Sequence, residues 1–192
     1  MPKVAAKSPL EFTLLWTVGT FGGFVGSLFW IEIGERPDIG VVQAAVGGLA
    51  IALPQSLILN HTIFTGKWIV LTLAAWVFLT ATGVGAVGWM VLASEVLPLR
   101  LYLGMVYGAF AGFSIGMAQW LAIRQPASWA WQWILANAVS WAIAVPLGSV
   151  VGMILHQLTR LFLGEVVGLA ITWLVVAIST GIYAYKLLYQ SW

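Results

Sequence analysis

Three amides stand out in an apolar chain. Gln55 shares a helical face with Gly48 and Ala52, and Gln119 shares one with Gly112 and Gly116. Asn137 sits midway between Trp133 and Trp141, four residues from each, as Thr72 does between Trp68 and Trp76. A polar group held in hydrocarbon is costly, so it either bridges helices or marks a site. Bridging is the plainer reading. The functional reading is a ligand pocket floored by Gln55, Gln119 and Asn137 and walled by tryptophans, Trp76 and Trp141 among them.

Other residues offer less chemistry. Gly112 to Gly116 spell G-x-S-x-G, but the nucleophile elbow needs a strand, a tight turn and a helix, and this string lies inside a glycine-lined apolar run. A serine protease within the membrane would pair Ser114 with a histidine on the sixth helix, which has none. His61 and His156 are expected on opposite sides of the membrane, so they cannot share a metal. Each could singly ligate a haem or chlorophyll, although most lone interfacial histidines simply hydrogen-bond. With no cysteine, disulfides, thiolate metal sites and thiol catalysis are excluded. No catalytic set and no metal site emerges, no cofactor is specified, and the chain reads as a non-enzyme. No apolar segment carries a charge near its centre. That argues against a self-powered pump or symporter, which uses a carboxylate or histidine relay at mid-depth.

These residues must be positioned by membrane helices. Of the 192 residues, 61% are hydrophobic and 7% charged, against about 25% charged in an average soluble domain. The outside of a soluble fold must meet water and has no place for this much apolar surface, whereas a bilayer removes that limit. The net charge of +2 is too small for a nucleic-acid surface. Six apolar segments are legible, at about 12–33, 41–59, 68–92, 101–123, 129–155 and 163–188. Each can cross about 30 Å of hydrocarbon at about 1.5 Å per residue. They are continuous runs, unlike the alternating segments of about ten residues in a membrane barrel. The first is too long for a signal-peptide core and lacks a cleavage site, so it reads as a retained helix. The expectation is an all-α polytopic transmembrane bundle of six helices, forming one domain over 1–192.

Charge sets the expected orientation. With the N-terminus inside, the inner side collects Lys3, Lys7, Lys67, Arg124 and Lys186, and the outer side Arg36, Arg100 and Arg160. That is five against three, so both termini are expected in the cytoplasm. Glu32, Glu35, Asp38, Glu95 and Glu165 then fall outside and only Glu11 inside.

The chain also carries an internal repeat. Residues 48–51 and 55–59 match 112–115 and 119–123 at an offset of 64; at 65, Trp68-Ile69 matches Trp133-Ile134, Trp76 matches Trp141 and Gly83 matches Gly148. Helices two and three therefore resemble helices four and five, a parallel repeat about an axis along the membrane normal. Glycines recur at spacing four: Gly19/Gly23, Gly22/Gly26, Gly148/Gly152, Gly164/Gly168 and the line Gly104, Gly108, Gly112, Gly116. Such faces let backbones approach closely, within the bundle or against a second copy or another membrane protein. Of the 12 tryptophans, Trp30, Trp68, Trp89, Trp120, Trp129, Trp131, Trp133 and Trp192 lie near expected helix ends, where an aromatic belt meets headgroups. Trp16, Trp76, Trp141 and Trp173 lie deeper, as packing residues or as contacts for a pigment, quinone or carotenoid.

The stretch 22–39, GGFVGSLFWIEIGERPDI, together with the two glutamine-bearing hairpins, resembles small multi-pass membrane proteins common in cyanobacteria and other bacteria. The resemblance covers most of the chain, implies a bacterial inner or thylakoid membrane, and brings no activity with it. The functional expectation is a non-catalytic binding or accessory subunit that holds an apolar ligand or docks on a larger membrane complex. The alternative is a substrate-binding component of a small-solute transporter that lacks its own energy coupling.

Overall fold

Local signals start and stop the helices. Ser8 caps α1 (Pro9–Ser27): its Oγ accepts from the Glu11 N–H at 3.1 Å, Pro9 opens the helix, and Glu11 lies in the first turn. The computed structural model describes residues 8–34, 39–59, 65–82, 84, 87–92, 94–124 and 129–189. Five further helices follow: α2 (Val41–Leu59), α3 (Thr65–Ala81), α4 (Leu97–Ile123), α5 (Gln132–Thr159) and α6 (Leu163–Tyr189). The described residues hold no strand, only a single bridge between Gly34 and Met90. The fold is all-helical, and α2, α4, α5 and α6 are each long and apolar enough to cross a membrane. At 17 residues, α3 is a shorter apolar helix.

The helices close into a ring. Each packs on its neighbours in sequence, and α1 packs on α6 to complete the circle. Neighbours are antiparallel: Trp16, Trp68 and Trp133, early in α1, α3 and α5, bond Thr180, Gln55 and Gln119, late in α6, α2 and α4. We call the end holding the start of α1 and the end of α6 the lower end. The α5–α6 turn lies at the upper end.

Two segments differ most from the apolar pattern, while α4 begins at Leu97 instead of 101 and α5 spans Gln132–Thr159 instead of 129–155. The first segment was expected to run 12–33, but α1 spans Pro9–Ser27. The third was expected over 68–92, but α3 stops at Ala81. The chain then folds back into the upper end of the ring, where Val87, Trp89, Val91 and Leu92 are buried. Trp89 donates to Ser27 Oγ at 2.7 Å, Trp173 donates to the Gly88 carbonyl at 2.6 Å, and the Val91 N–H donates to the Gly34 carbonyl at 3.0 Å. Non-helical backbone within such an apolar bundle is tolerated because it is covered by protein and its polar groups are met. Gly47 makes the room: a Cβ there would run into the Trp89 ring and Ile31.

The tryptophan belt is smaller than expected. Trp30, Trp129 and Trp131 are exposed, but Trp68, Trp89 and Trp133 are core residues. Depth along an uncertain helix end does not distinguish an indole facing headgroups from one turned into the bundle. Trp192 lies outside the described residues, as do His61, Gly83, Lys3, Lys7, Gln125, Pro126 and the loop 35–38.

Candidate functional site

The three amides all turn inward. Gln55, Gln119 and Asn137 are buried with Thr20, Thr72 and Thr180 in a polar layer at mid-height. Two hydrogen-bond relays run through it. Trp68 Nε1 donates to Gln55 Oε1 at 3.3 Å, and Gln55 Nε2 donates to Thr20 Oγ1 at 3.1 Å. Trp133 Nε1 donates to Gln119 Oε1 at 3.0 Å, and Gln119 Nε2 donates to Thr72 Oγ1 at 3.2 Å. Each relay ties three helices together, α3–α2–α1 in the first and α5–α4–α3 in the second. Across the seam that closes the ring, Trp16 Nε1 donates to Thr180 Oγ1 at 3.1 Å. Asn137 differs: its Nδ2 bonds the Trp133 carbonyl of its own helix at 3.0 Å.

Aromatic rings cover this layer from both ends. Below, Trp16, Trp68 and Trp133 form a triangle with centroids 6.0–6.1 Å apart. Above, Trp173 packs on Trp141 at 5.1 Å, Trp89 at 5.5 Å and Trp76 at 5.9 Å, in the edge-on and tilted arrangements that ring quadrupoles favour. The space left among the amides is a cavity of about 20 Å³ lined by residues of all six helices. That is room for about one water, not for an organic ligand. Trp76, whose buried Nε1 lacks a partner among the described residues, lines it as well. Gln55, Gln119, Asn137, Trp76 and Trp141 all line this one space of water size.

Glycine sets how tightly the wall closes. A Cβ at Gly108, Gly112 or Gly116 would collide with α5 at Trp141, Asn137 and Ile134 respectively. Gly148 and Gly168 press α5 against α6 in the same way, and Gly23 seats α1 against Ala50 and Ile51 of α2. Gly22 and Gly26 differ, with nothing within 4 Å of where a Cβ would stand. Ser114 bonds back to the Phe110 carbonyl at 2.9 Å, an ordinary helical arrangement.

A second site lies at the upper end. Arg100 in the first turn of α4 and Glu165 in the first turn of α6 are buried together. Their contact is bidentate: Nη1 donates to Oε1 at 3.0 Å, and Nη2 donates to Oε2. Two forked, charge-assisted bonds satisfy a buried pair that would otherwise be strongly destabilising. Gly152 admits the Glu165 carboxylate, since a Cβ there would fall on Oε2. Above the pair opens a cavity of about 390 Å³, lined also by Ser94, Glu95, His156, Gln157 and Arg160. This volume falls within the range of small-molecule sites. Below the pair lies a second space of about 20 Å³, which reaches Thr172.

Comparison with family models, with curated proteins and with solved structures finds no match. The site therefore rests on its own geometry. Among the described residues no group of three or more His, Asp or Glu could hold a metal ion. Sequence reasoning placed Arg100 and Glu165 as separate interfacial charges and did not join them. The pair is separated by 65 residues, and the packing of α4 and α6 on either side of α5 brings the two first turns together. The one available signal was two opposite charges, Arg100 just before one apolar segment and Glu165 in the first turn of another, at starts expected on the same side.

Proposed function

We propose that this protein is a non-catalytic, six-span integral membrane protein, a binding or accessory subunit that holds a small ligand in the upper cavity. One observation carries the reading. The mid-height layer closes to about 20 Å³, whereas the upper cavity offers about 390 Å³ lined by ionisable side chains. Pigments, quinones and carotenoids need a long apolar slot, and the space between the amides is too small for one. In this reading the membrane is a bacterial inner or thylakoid membrane, both termini are cytoplasmic, and the upper cavity faces the opposite side. Reporter fusions after Lys67, Arg124 and Lys186 should then all read cytoplasmic. The hairpin repeat belongs to the same reading and is supported by the parallel relays Trp68–Gln55–Thr20 and Trp133–Gln119–Thr72. A docking partner, or a second copy, would meet the face of α1 that bears Gly22 and Gly26, because the other glycine ladders face helices of the same chain.

A second reading has its own support. The upper cavity, the small space beneath the Arg100–Glu165 pair and the mid-height cavity are all lined by α4, α5 and α6 residues. That arrangement suits a substrate-binding component of a transporter whose energy comes from other subunits. Native mass spectrometry of protein purified in mild detergent tests both readings. A non-protein mass should be bound in unit ratio, kept in Gln119→Leu and lost in Arg160→Gln. A mass lost in Gln119→Leu and kept in Arg160→Gln would place the ligand in the core, and no bound mass at all would remove the binding reading.

A further inference from the structure

The upper cavity is balanced in charge in a way that selects its ligand. Arg100 and Glu165 neutralise each other, and their fork leaves both carboxylate oxygens engaged. Two charges then remain on the wall, Glu95 and Arg160. Neither side chain has a hydrogen-bond or ion-pair partner among the described residues. They line one cavity without meeting, one contributed by the segment before α4 and the other by the end of α5. An anion alone would satisfy Arg160 and leave Glu95 facing it; a cation alone would do the reverse. A ligand carrying one charge of each sign satisfies both.

The other lining groups supply both donors and acceptors. His156 Nδ1 lies 3.0 Å from the Leu161 carbonyl, so that nitrogen carries the shared proton and Nε2 is the ring atom available to a ligand. Gln157 and Ser94 can each donate or accept. Arg100 keeps a buried Nε without a partner among the described residues. Arg160 itself holds φ 60, a left-handed position at a helix end that glycine ordinarily fills. A long cationic side chain kept there against backbone preference is consistent with a use for its charge.

We propose that the upper cavity binds a zwitterion bearing an ammonium and an anionic oxygen group, with Glu95 facing the ammonium and Arg160 the anion. This rests on the binding reading above. Two sources present such chemistry: an ethanolamine phospholipid headgroup and a free water-soluble zwitterion. The exposed Leu99, Leu158 and Leu163 on the helices around the mouth offer apolar surface for acyl chains, which suits the lipid source.

The test is thermal unfolding of the full-length protein in detergent with three probes: phosphatidylethanolamine in mixed micelles, glycerophosphoethanolamine in solution, and phosphatidylglycerol as an anion-only control. At about a hundredfold excess over Kd, a zwitterion probe should raise Tm by about 5–10 °C, and phosphatidylglycerol should not. Glu95→Gln and Arg160→Gln should each abolish the shift while leaving the unliganded Tm in place, because both side chains are exposed and unpaired. A shift with phosphatidylethanolamine alone assigns the lipid source, and one that glycerophosphoethanolamine also produces assigns recognition to the headgroup itself. No shift with either zwitterion, an equal shift with phosphatidylglycerol, or a shift that survives both substitutions would overturn the proposal. If native mass spectrometry still finds a bound mass when both zwitterions fail, the ligand class is wrong and the binding reading stands.

Discussion

In the mid-height layer, Gln55 and Gln119 use both ends of their amides within the ring, whereas in the upper cavity Glu95 and Arg160 use neither charge. The first region joins helices and leaves space for about one water; the second leaves about 390 Å³ open above a single buried ion pair. A polar group in a membrane protein is expensive unless partnered. Where the partners lie on neighbouring helices, the group serves the fold. Where they are missing beside an open space, it is free to serve a ligand.

Breaking the floor of the upper cavity should have the largest effect. Glu165→Gln leaves a buried guanidinium without its counter-charge and should cost about 3–5 kcal/mol, read as a lowered unfolding midpoint in detergent. Replacing both partners, as Arg100→Leu with Glu165→Leu, should recover much of that loss, because no charge is then stranded. A double variant no more stable than Glu165→Gln would show that the pair is worth more than its mutual neutralisation.

Next come the glycines of the closed wall. Gly112→Ala places a methyl against the Asn137 backbone and should cost about 1–3 kcal/mol. Gly22→Ala meets nothing and should stabilise by about 0.5–1 kcal/mol through helix propensity alone. Equal effects at the two positions would contradict the packing described for α4 and α5.

The amides follow. Gln119→Leu removes the links to Thr72 and Trp133 and should cost about 1.2 kcal/mol, two bonds at the average of about 0.6 kcal/mol each for such bonds between membrane helices. Ligand binding at the upper end should be unchanged. The smallest effect belongs to the open site: Glu95→Gln should alter stability by less than about 0.5 kcal/mol, as surface substitutions generally do, while removing the ligand. Detergent unfolding curves paired with native mass spectra measure both quantities on one sample.

The contrast between the two regions also explains what the sequence could reveal. The second apolar run, 41–59, coincides with α2, and the sixth, 163–188, with α6 to within one residue; Pro37, Asp38 and Gly40 mark the start of the first and Arg160 the start of the second. The inward turn of Gln55 and Gln119 was legible because each shares a face with glycines, and glycine faces seek close neighbours. The fold-back after α3 was not. Residues 84–92 are as apolar as a helix, and nothing local says that Trp89 will turn back to Ser27 across 62 residues. The upper cavity was hidden for the same reason: its floor is a contact between α4 and α6, which share no sequence neighbourhood.

The most direct test is an experimental structure of the protein extracted from its own membrane without added ligand. Non-protein density should fill the upper cavity between Glu95, His156 and Arg160, with at most a single water among Gln55, Gln119 and Asn137. An organic molecule lodged among those three amides, with the upper cavity empty, would contradict the account.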